Sequence, residues 1–412
     1  MHHELALFGG TPIRSAPWPA WPQHDGRERE AVQAVLDSGR WWSTEGTAVR
    51  QFERDWARFC ATADCMAVTN GTHAIEVALL ATGIGAGDEV IVPDYTFFAT
   101  AAAVSAVNAV PVLVDIDPHT FCIDVAAAAG AITDRTRAII AVHIAGHPAD
   151  LDALTALCAR TGLLLLEDCA HAHGSRWRDQ PVGSFGAAGT FSFQQSKLMT
   201  AGEGGAIVSN DAALGAQIRS FADCGRRPGT WFYDHFVLGG NYRMSEWQAA
   251  VLAAQLARFP EQNRTRNARA RALDQALAAI PGVIPQQRDV RTTAQGYYCY
   301  VLRIDPIAFG ATRDTVLEAL RAEGMPMTMS YPPLHALAAF QAPDGLAPRH
   351  RRQTVRVHAH DGQPLLTNSR TAADTTLWCR HALLMGSEQD ALQLAEALTK
   401  IQRHAHRLGT RA

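Results

Sequence analysis

The chain has 412 residues, of which 47% are hydrophobic and 19% charged, and its formal net charge is −3. Such a chain is too long for one ordinary core and too apolar to be disordered, so two folded domains are expected. The charge balance leaves no global basic field for nucleic acid or anionic lipid, and the local run Arg349-His350-Arg351-Arg352 reads as a solvated face.

The eight cysteines are scattered without a CxxC pair, which suits reduced thiols in the cytoplasm. MHHELALFGGTP lacks a basic region leading into a long apolar core, so no secretory signal is expected. The most membrane-like stretch, Phe97 to Val114, is interrupted by Thr100, Ser105, Asn108 and Pro111. It reads as a buried helix followed by a strand, not as a span, and no membrane partner is expected.

In chain order, strands are predicted at Cys65–Thr69, Glu89–Val92, Val112–Asp115, Ala138–Val142, Leu163–Glu167, Gly189–Ser192 and Gly205–Ser209. Helices fall between them near Thr72–Ala81, Phe98–Val107 and Asp150–Arg160, with another at Ala212–Phe221. Near-continuous apolar strands alternating with helices predict an α/β fold with a mostly parallel sheet, whose ligands sit at the carboxyl ends of the strands. Beyond it, a helical region from Ser245 is predicted to bend or break at Pro260. A strand at Ala294–Ile304 and helices at Ala311–Glu323 and Asp390–Arg407 complete a smaller α+β domain. The division predicted is 1–258 for the large domain with its N-terminal segment and 259–412 for the small one.

The chemistry concentrates in LLLLEDCAHAHGSRW and GTFSFQQSKLMTAGEGG. Lys197 follows an apolar strand and precedes Gly202, Gly204 and Gly205, where a long side chain would enter the ligand crevice and could form a Schiff base with a cofactor. Asp168 ends a buried strand. It reads either as a turn or helix-cap residue, or as the carboxylate that keeps the ring nitrogen of pyridoxal phosphate protonated. His171 could pack beside that ring or bond its phenolic oxygen. TNGTHA, after one strand and opening a helix, offers backbone N–H groups as an anion seat, although turn chemistry alone would also explain Asn-Gly. Ser192 could donate to the same phosphate, and Phe97 reads as a stacking face or as plain core. Cys169, His171, His173, His143 and His147 gather soft ligands, but Cys-x-His-x-His matches no closed zinc spacing, so no metal is expected.

TNGTHA, PDYTFFAT, EDCAHAHG, FSFQQSK with AGEGG, and GGNYRMSEWQAA occur in the order and spacing of the DegT/DnrJ/EryC1/StrS aminotransferases, and the chain resembles that family over nearly its whole length. The resemblance implies a fold-type I pyridoxal-phosphate transferase, like aspartate aminotransferase. Lys197 then holds the cofactor, Asp168 pairs with the pyridine nitrogen and His171 lies at the phenolic oxygen, where many relatives have glutamine. Gly71, Thr72 and Ser192 hold the phosphate and Phe97 stacks on the ring. Asn241 reaches the phosphate of the other subunit in a homodimer with shared sites. Trp41, Trp42, Tyr331 and His335 match segments at the substrate end; YPPLH is one residue shorter than the usual form there. The activity implied is amino transfer from glutamine or glutamate to the ketone of a sugar or cyclitol, and YYCYVLRIDPIAFG resembles the inosose aminotransferases in particular. Rival readings are an enzyme like 3-amino-5-hydroxybenzoate synthase, an aminotransferase for nucleotide-linked ketosugars, and a non-enzymatic sensor. Deoxysugar dehydratases of this fold have histidine in place of the lysine, and Lys197 argues against them.

Overall fold

The computed structural model describes residues 4–341, 355–360 and 363–408; the Arg349–Arg352 run lies outside them. All seven predicted strands of the large sheet form, with ends shifted by a residue or two: β1 (Asp64–Val68), β2 (Glu89–Pro93), β3 (Val110–Val114), β4 (Thr136–Val142), β5 (Leu164–Asp168), β6 (Ala188–Ser192) and β7 (Gly205–Ser209). Their order is β1-β7-β6-β5-β4-β2-β3, with Arg356–Val357 added at the β3 edge. Only β7 runs antiparallel, to both β1 and β6. Every residue of β2, β6 and β7 is buried, which is why these strands read as continuous apolar runs and not as alternating ones.

Two expectations fail locally. The helix Glu246–Leu277 continues through Pro260 without a break. Proline removes one backbone bond, but Phe259 and Gln262 are buried beside it and Arg258 Nη2 donates to Glu28 Oε2 at 2.9 Å. Tertiary contacts on both sides outweigh the lost bond. The strand predicted at Ala294–Ile304 is two strands. Thr292–Ala294 pairs with Arg176–Trp177, whereas Cys299–Ile304 enters an antiparallel sheet with Val283–Pro285, Thr376–Arg380 and Met327–Met329. Between them, buried polar contacts pin the backbone. Gln295 N–H donates to Asn267 Oδ1 at 3.1 Å, Asn267 Nδ2 donates to the Gln295 carbonyl at 2.7 Å, and Gly296 N–H donates to Ser175 Oγ at 2.8 Å. Side-chain alternation carries no trace of such bonds.

The described residues form two apolar cores, and the long helix serves both. Ala249, Leu252 and Phe259 face the core around the large sheet, while Ala270, Leu273 and Leu277 face a second core with the C-terminal elements. Leu5 lies in that second core, and Ile13 and Trp18 pack against it. The N-terminal segment is fastened there by the buried Glu323 carboxylate, which accepts from Ala6 N–H (2.9 Å), Ile13 N–H (3.0 Å) and Lys400 Nζ (2.8 Å). Among the described residues no helix is long and apolar enough to cross a membrane.

Glu323→Ala removes a buried carboxylate and strands the Lys400 ammonium. A loss of about 3–5 kcal/mol is expected, read as a lowered denaturant midpoint; an unchanged midpoint would show that Lys400 finds another partner.

Candidate active site

A cavity of about 560 Å³ opens at the carboxyl ends of β5 and β6, between them and the N-terminus of the helix Gly71–Ala81. Lys197, Asp168, His171, Ser192, Gly71, Thr72, Phe97 and Tyr331, from five separate stretches of chain, all line it.

Lys197 belongs to the loop that turns β6 back into β7, and the loop is knitted by its own backbone. Phe193 N–H bonds Gly204 O, Gln195 N–H bonds Gly202 O, and Lys197 N–H bonds Gln194 O, each at 2.8 Å. The side chain is only 8% exposed. Burial brings its amine down to about pKa 8, while the negative charge of Asp168 pulls the other way. Its Nζ sits over the Tyr298 ring, 4.4 Å from the centroid.

Asp168, the last residue of β5, is fixed by Thr100 Oγ1, which donates to Oδ2 at 2.8 Å, and by Ala170 N–H, which donates to Oδ1 at 3.1 Å. Two donors leave lone pairs of both oxygens free, so the carboxylate is positioned without being consumed. His171 Nδ1 accepts from Ala145 N–H at 3.3 Å, so a neutral ring carries its proton on Nε2, which donates to Tyr331 Oη at 3.3 Å. Burial, helped by the nearby Lys197 charge, holds its pKa well below the ordinary value, and the ring stacks on Tyr298 at 4.1 Å.

At the opposite end of the cavity Asn70 caps the helix, its Oδ1 accepting from His73 N–H at 2.9 Å. The N–H groups of Gly71 and Thr72 belong to the first turn and have no intrahelical acceptor. Ser192 Oγ joins them, because a Cβ on Gly71 would stand 2.7 Å from Ser192 Cβ: only glycine lets the hydroxyl come so near the helix end. Phe97, half exposed, and Tyr331 form a wall with their ring centroids 5.8 Å apart.

The remaining predicted residues lie elsewhere in this chain. Trp41 packs on Trp247 at 5.4 Å and Trp42 on Phe232 at 5.9 Å, outside the cavity. Asn241 is exposed and bridges to Asp223. The His335 ring is clasped by Asp94 Oδ2 (2.7 Å) and Arg370 Nε (3.2 Å), a tie for its loop. Sequence reasoning missed Thr100 and Tyr298. Thr100 closes PDYTFFAT but had no partner visible in sequence; Tyr298 lies in YYCYVLRID, a motif noted without a role. His143, Glu167 and Cys169 bring ligand atoms within 4.8 Å of one another. They do not make a ready metal site: His143 Nδ1 accepts from Ala149 N–H, its Nε2 faces Glu167, and that carboxylate also accepts from Gly183, Phe185 and Gly186 N–H.

A sheet with one antiparallel return, a buried low-pKa lysine in that return, a fixed carboxylate one strand away and a helix N-terminus opposite define a fold-type I transferase. The model of the DegT/DnrJ/EryC1/StrS aminotransferase family matches residues 22–361, and the chain belongs to that family. It is 40% identical to an L-glutamine:2-deoxy-scyllo-inosose aminotransferase of Streptoalloteichus tenebrarius, over 97% of this chain and 98% of the relative. It is 39% identical to the 3-amino-5-hydroxybenzoate synthase of Amycolatopsis mediterranei, over 93% and 97%. A crystal structure of 3-amino-5-hydroxybenzoic acid synthase superposes with a TM-score of 0.86 at 37% identity, covering 95% of this chain and all of that one. The chain is thus an enzyme of the aminotransferase class.

His173 and His381, like His171, are buried, and both are pushed down to about pKa 3, chiefly by burial. Neither ring nitrogen of His173 has a hydrogen-bond partner; the Lys197 charge adds to burial, and the Ser192 backbone pulls the other way. Unfolded histidines titrate near 6.5, so between about pH 6.5 and 3 the unfolded chain binds protons that the folded one refuses. Stability is whole above that window and falls as pH drops through it, by up to about 1.4 kcal/mol per pH unit for each ring. Urea midpoints at about pH 7.5 and 5 should therefore differ less in His173→Phe than in the parent; equal slopes would place the titration elsewhere.

Proposed function

We propose that the chain carries pyridoxal phosphate on Lys197 and moves an amino group from glutamine or glutamate to the ketone of an uncharged, inosose-like cyclitol. The observation that carries this reading is the pairing, in one cavity, of a buried amine near pKa 8 with a carboxylate at the end of β5. The donor set fits the cofactor: an amine for its aldehyde, Asp168 for its ring nitrogen, and Gly71 N–H, Thr72 N–H and Ser192 Oγ for its phosphate.

Bound there, pyridoxal phosphate supplies a sink for the electron pair left when a C–H bond next to nitrogen breaks. The rest of the work falls to this chain's side chains. Asp168 keeps the proton on the ring nitrogen. Lys197, as a free amine, would take the proton from the donor's α-carbon and hand it to the neighbouring atom, and would do the reverse on the ketone. His171, whose Nε2–H donates to Tyr331 in this structure, would turn that N–H to the phenolic oxygen, and Phe97 would give the ring a flat face.

The acceptor reading rests on charge. Among the described residues lining the cavity Lys197 is the only lysine or arginine, whereas a nucleotide-linked sugar brings a diphosphate that ordinarily needs such partners. Relatives named for 2-deoxy-scyllo-inosose support the same choice. The likeness to 3-amino-5-hydroxybenzoate synthase favours a second reading, in which Lys197 is the base of an aromatising dehydration.

The partner is a second copy. Trp231, Tyr233 and Leu238 expose large apolar side chains on the segment leading to Asn241, a face suited to burial in a homodimer where Asn241 meets the neighbour's phosphate. We also read 1–258 as the cofactor-binding domain and 259–412 as the smaller one. The two cores support this division, with residues 5–18 resting on the smaller domain.

Borohydride reduction and peptide mapping should place the cofactor on Lys197, and specificity constants should favour an inosose over a nucleotide-linked ketosugar by at least about tenfold, roughly 1.4 kcal/mol in transition-state binding. The reverse preference means a diphosphate site exists, and an aromatic product favours the dehydration. Mixed Lys197→Ala and Asn241→Ala subunits should regain activity, since one hybrid site carries both lesions and the other neither; no rescue despite subunit exchange counts against shared sites.

A further inference from the structure

We propose that Tyr298 is a positioning residue for Lys197: its ring face is the seat on which the ammonium rests when the lysine is not covalently engaged. This rests on the reading of Lys197 as the active lysine.

Three observations support it. The Nζ lies 4.4 Å from the ring centroid, inside the range of about 6 Å over which a cation is drawn to an aromatic face. The ring itself is held. His171 stacks on it at 4.1 Å with planes 17° apart, and its backbone follows the pinned Gln295-Gly296 turn. The hydroxyl is tied to the lysine's own loop: Ser196 Oγ donates to Gln194 Oε1 at 2.7 Å, so Tyr298 O–H is left to donate to Ser196 Oγ at 2.9 Å. Ring and lysine are therefore coupled through residue 196, although they are 101 positions apart in sequence.

The need for such a seat follows from the charges. Burial opposes the ammonium, and Asp168 is the principal anion that favours it. With cofactor present, Asp168 is committed to the ring nitrogen. As Lys197 takes a proton from the donor's α-carbon, the C–H bond would break and an N–H bond would form on Nζ, the electron pair left behind being what a bound cofactor would accept. The cation thus made needs a stabiliser other than Asp168, and the Tyr298 face supplies one without a competing base. Removing the face should lower the Lys197 pKa further below about 8.

The test is the Lys197 titration in the cofactor-free full-length protein, followed by the 15N shift of labelled lysine and assigned by its loss in Lys197→Ala. Tyr298→Phe keeps the face and should leave the pKa nearly unchanged. Tyr298→Leu should lower it by about half to one and a half pH units. Should the leucine variant misfold, phenylalanine against ring-fluorinated phenylalanine at position 298 makes the same comparison at nearly constant shape, and the electron-poor ring should lower the pKa. Equal pKa values with and without an electron-rich face would overturn the proposal, as would a phenylalanine variant that behaves like leucine. Borohydride labelling of another lysine would instead overturn the reading of Lys197 on which the proposal rests.

Discussion

Burying a primary amine without a dedicated salt bridge is costly, and much of the architecture around Lys197 can be understood as what makes that burial tolerable. The β6–β7 loop closes on itself through backbone bonds, so the lysine is presented by a rigid turn. Asp168 faces it from the neighbouring strand, close enough to favour the ammonium, while Thr100 and Ala170 hold that carboxylate in place. The balance leaves an amine near neutrality in its titration, which is the property that both covalent attachment and proton shuttling demand.

The sheet positions these groups by connectivity. Because the strands from β2 to β6 run parallel, the carboxyl ends of β5 and β6 fall side by side, and Asp168 and Ser192 arrive at one edge. The antiparallel β7 then returns beside β6, so the two can be joined without a crossover by the loop 193–204 that carries Lys197. The C-terminal half of the chain adds Tyr298 and Tyr331, which pack against the large-sheet core and close the cavity from the other side.

How much of this was legible in the sequence depended on what each residue does. The large-sheet strands were readable since burial on both faces leaves unbroken apolar runs. Lys197 and Asp168 stood out as charged residues at the ends of such runs. The break at Gln295–Tyr298 was not readable, because Asn267 and Ser175, which impose it, are remote in sequence and polar contacts have no period. Thr100 was hidden inside a helix pattern, and its partner lies 68 positions away. For His335 the motif named the position, but its partners, Asp94 and Arg370, could be found only in the structure. A motif records that a residue matters; only geometry says to what.

The glycines at the anion seat have a mechanical consequence. A Cβ at Gly205 would fall 2.3 Å from the Asn70 carbonyl, and one at Gly71 would crowd Ser192. The first residue of β7, the last of β6 and the helix cap are thus in backbone-close contact, with no side chain between them to act as a cushion. Fraying of the β6–β7 pair would therefore dismantle the seat and loosen the lysine loop in a single event. Ligand retention and local cooperativity become one property, so an anion held at the helix end would slow amide exchange in a hairpin that makes no further contact with it.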